Sequence, residues 1–155
     1  TVAAPSPGKK TVSDALVSLI PIPDETPETT LQHAIAALDD ITNPNSYIHV
    51  DVSDICRACR EAPTATICFE CDSPDAIGRA LDAKLSDSNI PVGAVTRTLF
   101  SIVCPKNVSE AELSSAVKSL RRHLKDQATF TFGVRFTEIS STFRITALLA
   151  ISKEC

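Results

Sequence analysis

Two alternating segments at the end of the chain constrain its fold more than any other feature. Apolar residues occupy every second position of residues 129–136, and again of residues 143–151. A period of two is typical of strands with one face toward a core. A short connection separates the two segments, so the pattern predicts an antiparallel hairpin.

Upstream of this hairpin, extended and helical patterns alternate. Residues 64–70 are β-branched and apolar, and residues 98–104 form a further candidate strand. From residue 51 onward the order is helix, strand, helix, strand, helix, strand, strand. This order predicts an α/β fold: a two-layer sandwich with a mixed β-sheet and the helices packed on one face.

The predicted helices carry recognisable start signals. Ser109 and Glu112 form a capping box ahead of a long apolar stripe. Ser73 opens a second helix, and Asp51 or Ser53 supplies the capping oxygen of a third. The sequence therefore places polar capping residues at the entry of each predicted helix.

The first third of the chain divides into a tail and a connecting segment. Residues 1–12 have no apolar periodicity and are expected to form a flexible tail or linker. Residues 13–45 are predicted to form a strand and a connecting helix, and residues 46–155 the α/β domain. That helix is predicted to begin at Thr26 and Pro27. Its expected apolar stripe consists of Leu31, Ile35, Leu38 and Ile41.

The composition excludes several classes of function. The chain of 155 residues has four glycines, too widely separated to build a glycine-rich loop that cradles phosphates. The net charge of −4 argues against nucleic acid or an anionic membrane as the main partner. No apolar run approaches the ~20 residues that a membrane-spanning helix needs.

Residues 48–55, Ile-His-Val-Asp-Val-Ser-Asp-Ile, resemble the catalytic synergy loop of the FtsZ/tubulin superfamily. Asp51 and Asp54 fall on its two acidic positions. Three later segments resemble FtsZ motifs in the same order: the alanine-containing helix from Asp75 with its following loop at residues 86–91, the strand at residues 128–133, and the closing strand at residues 143–146. Their order and spacing over about 100 residues carry the resemblance.

This resemblance implies the carboxy-terminal half of an FtsZ-like protein, without the GTP-binding half. In that family the loop acids enter the nucleotide pocket of the next subunit and position the attacking water, a role that suits carboxylates. The resemblance thus makes Asp51 and Asp54 the candidate catalytic residues, with His49 beside them. No cofactor is expected in this chain, since GTP would be bound by the partner subunit or the missing half. The chain is not expected to be an enzyme alone.

The resemblance also implies partners and a compartment. FtsZ-like subunits or division-ring regulators are the expected partners, with self-association as a further possibility, and the cytoplasm or the plastid stroma is the expected location. Two loop positions depart from the family, because His49 replaces its Asn and Val52 its Phe. Together with glycines missing between residues 63 and 71, these departures indicate a divergent member, of the kind that regulates ring assembly in plastid division.

Two other interpretations remain open. The acids Asp51 and Asp54 are also typical of a helix N-cap and first turn, in which case the chain is a non-catalytic interaction module that recruits a division or scaffold partner. Alternatively, two C-x-x-C pairs suit tetrahedral zinc. Those cysteines are Cys56, Cys59, Cys68 and Cys71.

A basic run follows the capping-box helix. Its members are Arg121, Arg122, His123 and Lys125. Cations at this position complement the helix dipole. The alternative interpretation is a patch for an acidic partner.

Overall fold

A computed structural model describes residues 25–43, 45–51, 53, 63–139 and 141–152. Helices and strands alternate along this part of the chain until the last two strands, which follow each other without a helix between them. The helices are α1 (Pro27–Thr42), α2 (Ile77–Asp87) and α3 (Glu110–Arg122), and the strands are β1 (Thr64–Cys71), β2 (Val95–Pro105), β3 (Thr129–Thr137) and β4 (Phe143–Ile151). The predicted strand at residues 15–20 and the body of the helix predicted after Ser53 lie outside these residues.

The four strands form one mixed sheet in the order β1-β4-β2-β3. Strands β2 and β3 are parallel and are joined through α3, because a parallel pair needs a crossover connection. Strand β4 is antiparallel to both β1 and β2. The predicted α/β fold with a mixed sheet is thus confirmed.

The predicted hairpin between the last two strands is wrong. Strand β2 lies between β3 and β4, and Ile102 pairs with Val134 on one side and with Ile145 on the other. Alternation specifies which face of a strand is buried, but not which strand lies beside it. Every residue of β4 from Ile145 to Ala150 is buried, as befits a central strand with both faces covered.

One face of the sheet packs against α2 and α3. The main core lies there and includes Phe100 and Ile102 of β2 and Ile145 of β4. Helix α2 contributes Leu81 and α3 contributes Leu120, both fully buried. These two helices and the sheet make up the predicted sandwich.

Helix α1 covers the other face of the sheet. Its Asp40 forms an ion pair with Arg144, which precedes the core-facing Ile145 and therefore points away from α2 and α3. The helix stripe differs from the predicted one, since Ile35 is 38% exposed while Ala34 is fully buried. Small side chains on this stripe let the helix approach the sheet closely.

The predicted cap at Ser73 is wrong: its side chain makes no capping hydrogen bond, a short 3-10 helix (Pro74–Ala76) follows it, and α2 begins at Ile77 with Ala76 as its N-cap.

The predicted start signals of α1 and α3 are confirmed. Thr26 Oγ1 accepts a hydrogen bond from Thr29 N at 3.2 Å, with Pro27 as the first helical residue. The capping box is complete: Ser109 Oγ accepts from Glu112 N, and the Glu112 carboxylate accepts from Ser109 N. Among the helices described, none is long and apolar enough to cross a membrane.

Candidate functional site

The candidate loop leaves the end of α1 and crosses the open edge of β3. Ile48 N donates to Val134 O at 3.1 Å, and Val134 N donates back to Ile48 O at 2.8 Å. Val50 N donates to Ile41 O at 2.6 Å. These backbone bonds fasten the loop to the sheet on one side and to α1 on the other.

Loop side chains alternate between two environments. Ile48 and Val50 are partly buried, whereas Tyr47, His49 and Asp51 are exposed. This is the alternation of an extended chain, in which successive side chains point to opposite sides. The loop therefore presents His49 and Asp51 together on its solvent side.

The Asp51 carboxylate has a local role as well. Its Oδ1 accepts a hydrogen bond from Ser53 N at 3.3 Å, the bond that an N-cap residue makes with the second residue of a helix. The other carboxylate oxygen can orient a water molecule or accept a proton. Asp54, the second predicted acid, lies outside the described residues.

A buried acid at the end of α1 anchors this loop. Asp40 is 9% exposed, and its carboxylate pairs with Arg135 of β3 and, at 3.6 Å, with Arg144 of β4. Its backbone oxygen accepts a hydrogen bond from Ser46 Oγ at 2.5 Å. Asp40 thus ties the first residues of the loop to two strands of the sheet.

The sequence patterns do not indicate Asp40, Arg135 or Arg144 as site residues. Arg144 lies in the strand pattern at residues 143–146, which predicts no role for its side chain. Asp40 follows another acid on a helix, and adjacent acids on a helix are usually exposed. A usable signal was nevertheless present, because Asp40 lies in the turn that holds Ala37, Leu38 and Ile41 of the buried stripe. An acid on such a stripe needs a cationic partner.

Exposed apolar side chains lie at the same end of the sheet. Tyr47 is 56% exposed and its ring centre is 5.1 Å from that of Phe136, while Ile139 is 96% exposed. Ile139, Arg135 and Arg144 line one cavity of about 180 Å³. Tyrosine, arginine and exposed aliphatic groups together are typical of protein interfaces.

The structure does not bring Cys68 and Cys71 together. Cys71 belongs to the core under α2 and α3, whereas the Cys68 sulphur receives a hydrogen bond from Thr146 Oγ1 at 3.4 Å on the side of β1 that faces α1. Cys56 and Cys59 lie outside the described residues. Within the described ranges, no group of three or more His, Cys, Asp or Glu residues could hold a metal ion.

Burial raises the pKa of two core thiols, those of Cys71 and Cys104. Desolvation raises the pKa of Cys104 to about 11. The pKa of Cys71 is also raised, mainly by desolvation and to a smaller extent by the negative charge of Asp72. Both thiols are therefore protonated at neutral pH and are poor nucleophiles.

Solved structures with a similar fold include those of FtsZ, CetZ and TubZ. An FtsZ variant from M. jannaschii has a TM-score of 0.65 and 18% identity, over 84% of this chain and 43% of that one. CetZ from Methanosaeta thermophila has a TM-score of 0.55 and 17% identity, over 80% of this chain and 35% of that one. TubZ from Bacillus thuringiensis serovar israelensis, in GDP-form protofilaments, has a TM-score of 0.52 and 11% identity, over 71% of this chain and 31% of that one.

The likeness is one of fold. No protein-family model matches the sequence, and no curated protein matches it. The chain spans less than half the length of the FtsZ, CetZ and TubZ chains. It shares the fold of part of these proteins, and this fold places the loop of His49 and Asp51 on its surface.

Proposed function

We propose that this chain is the carboxy-terminal half of an FtsZ-like protein of cell or plastid division and that it acts at the junction between filament subunits. The loop of residues 46–51 carries the proposal. It is fastened by backbone hydrogen bonds to Ile41 and Val134, yet it exposes His49 and Asp51. A rigid loop with outward polar groups suits contact with a second molecule.

In this proposal Asp51 and Asp54 reach the GTP site of a neighbouring subunit. GTP hydrolysis needs a water held in line with the γ-phosphate, and a fixed carboxylate can orient that water. The GTP itself belongs to the neighbouring subunit or to a preceding half of the protein. FtsZ-like subunits, including copies of this chain, are then its partners.

A second candidate function is an interaction module without a catalytic role. Two observations favour it. The Asp51 carboxylate already accepts a capping bond from Ser53 N. Exposed Ile139 lines a cavity with Arg135 and Arg144, and exposed Tyr47 packs against Phe136. In this alternative the surface beside the loop recruits a division or scaffold partner, and the loop acids only shape the backbone.

Sedimentation of FtsZ filaments assembled with GTP tests both functions. The chain is added at increasing ratio, while pelleted polymer and released phosphate are measured. We expect a substoichiometric change in polymer mass or turnover that is lost with Asp51→Ala and Asp54→Ala. Asp87→Ala is the matched control, because Asp87 is an exposed acid at the end of α2 on the other face of the sheet.

The outcomes separate the two functions. An effect that survives both loop variants but disappears with Tyr47→Ser and Ile139→Ser would favour the interaction module. No effect at any ratio would rule out capping of those filaments by this chain.

A further inference from the structure

The residues of the basic run at the end of α3 have different surroundings. Arg121 donates to the backbone oxygens of Asp126 at 2.7 Å and Ala128 at 2.8 Å, so it closes the turn that follows the helix. His123 Nδ1 lies 2.5 Å from Asp82 Oδ2 of α2. Arg121 and His123 therefore have structural roles. Of the two remaining cations, Lys125 has the end of its side chain near Gly93, whereas Arg122 lines a groove.

Arg122 lines a groove on the outer side of α3 together with Lys118. The groove has a volume of about 470 Å³. Its remaining lining residues are Asp75, Ala111, Ser114, Ser115 and Ser119. Lys118 and Arg122 are exposed and one helical turn apart, and neither forms an ion pair within the part of the chain that the structure describes. Like charges at this spacing repel each other, and a bound anion would relieve that repulsion.

The serine hydroxyls add hydrogen-bond donors to these two cations. Ser119 Oγ accepts a hydrogen bond from Gly78 N at 3.0 Å, which leaves its own proton free to donate. Ser115 Oγ donates to Asp75 Oδ1 at 3.5 Å, so the one carboxylate of the groove is directed to a hydroxyl. Ser114 is exposed beside Lys118. The groove thus offers an ammonium, a guanidinium and hydroxyl groups to one ligand.

We propose that this groove binds a phosphoryl group, as inorganic phosphate or as a phosphate monoester. A phosphoryl group has three strong acceptor oxygens, which match the planar donors of Arg122, the point charge of Lys118 and the free hydroxyl proton of Ser119. A ligand with an extended acidic surface fits this groove poorly, because the negative charge of Asp75 would repel part of that surface. A compact anion can instead bind beside Lys118 and Arg122. The site lies on the α2 and α3 side of the sheet, so it is independent of the loop of residues 46–51.

Amide NMR titrations test this proposal. The protein is titrated with inorganic phosphate and, separately, with phosphoserine, both at constant ionic strength against chloride. We expect saturable shifts at Ser115, Lys118, Ser119 and Arg122, with affinity about tenfold weaker in Lys118→Ala and in Arg122→Ala, since each removes charge-assisted hydrogen bonds. Lys106→Ala is the matched control, because it removes an exposed lysine that instead pairs with Glu138.

The two probes identify the source of the phosphoryl group. Tighter binding of phosphoserine would indicate a monoester ligand, and binding of inorganic phosphate alone would indicate the free ion. Shifts that do not saturate, that chloride reproduces, or that persist with equal affinity in Lys118→Ala and Arg122→Ala would overturn the proposal. Because both side chains are exposed, the variants are expected to fold, and their unbound spectra verify this.

Discussion

At the scale of single residues, Gly133 shows how closely α1 approaches β3. A Cβ atom added there would lie 2.7 Å from Ile41 Cβ and 3.0 Å from the backbone oxygen of Ile48. Neither neighbour is the mobile end of a side chain. The absence of a side chain at Gly133 therefore lets the helix and the candidate loop pack on the same strand.

Gly133→Ala is expected to lower the free energy of unfolding by about 1–3 kcal/mol, since an overpacked contact must be relieved by backbone movement. Urea unfolding measures the change. Gly93→Ala serves as the control, because its added Cβ would meet only the end of the Lys125 side chain, at 3.3 Å. Equal losses in the two variants would contradict the close approach.

The Cys104 thiol links stability to pH. Its pKa is raised by burial from 9.0 to about 11, so the folded state holds this proton more tightly than the unfolded state. The stabilisation is fully present below pH 9 and is lost as the pH rises toward 11. Between pH 8 and pH 11 we expect wild type to lose about 2 kcal/mol more than Cys104→Ala does. Parallel chemical denaturation at these pH values checks this, and equal slopes would contradict it.

At the scale of elements, Asp40 couples the end of α1 to the sheet and to the loop. Its carboxylate pairs with two arginines, and its backbone oxygen accepts from Ser46. The loop position therefore depends on this one helix end as well as on the edge of β3. If the loop acts at a junction, Asp40 is a positioning residue for it.

Asp40→Asn is expected to cost about 1–3 kcal/mol, because it weakens charge-assisted hydrogen bonds at a largely buried site. Hydrogen exchange at the Ile48 and Val50 amides should accelerate more than exchange in the α3 helix. Glu138→Gln is the control: it disrupts an ion pair whose side chains are 71% and 74% exposed, and should cost under about 0.5 kcal/mol. Uniform acceleration would contradict a local role for Asp40.

At the scale of the whole molecule, the sheet order separates β3 from β4, although a short turn joins them. Ile102 should show interstrand backbone NOEs to both Val134 and Ile145. Val134 and Ile145 should show none to each other, because two strand spacings separate them by about 9–10 Å. A direct contact between Val134 and Ile145 would support the hairpin and contradict this sheet order.

Local signals were read correctly from the sequence where they depend on neighbouring residues alone. Ser109 with Glu112 and Thr26 with Pro27 mark the starts of α3 and α1, because capping satisfies amides only a few residues away. The alternation before and after residue 140 indicated both strands for the same reason. The predicted apolar stripe of α1 is wrong at Ile35, because the side of the helix that contacts the sheet carries Ala34 and Ala37 instead.

The candidate site was only partly predictable. The sequence indicated His49 and Asp51 as candidate site residues, and the structure places both on an exposed loop. Asp40 and Arg144 are far apart in the chain, and only the packing of α1 on the sheet makes them partners. Cys68 and Cys71 have opposite orientations, because residues three apart on a strand face different sides.

The sequence by itself determined the described strands, the caps of α1 and α3 and the alternation of buried and exposed positions, because these follow from short-range hydrogen bonding and side-chain periodicity. The tertiary structure alone decided that β4 lies between β1 and β2, that α1 covers the second face, and that Asp40 holds the loop. Strand order and ion pairing depend on contacts between distant residues. Such contacts are selected by the packing of the whole core, and no local pattern records them.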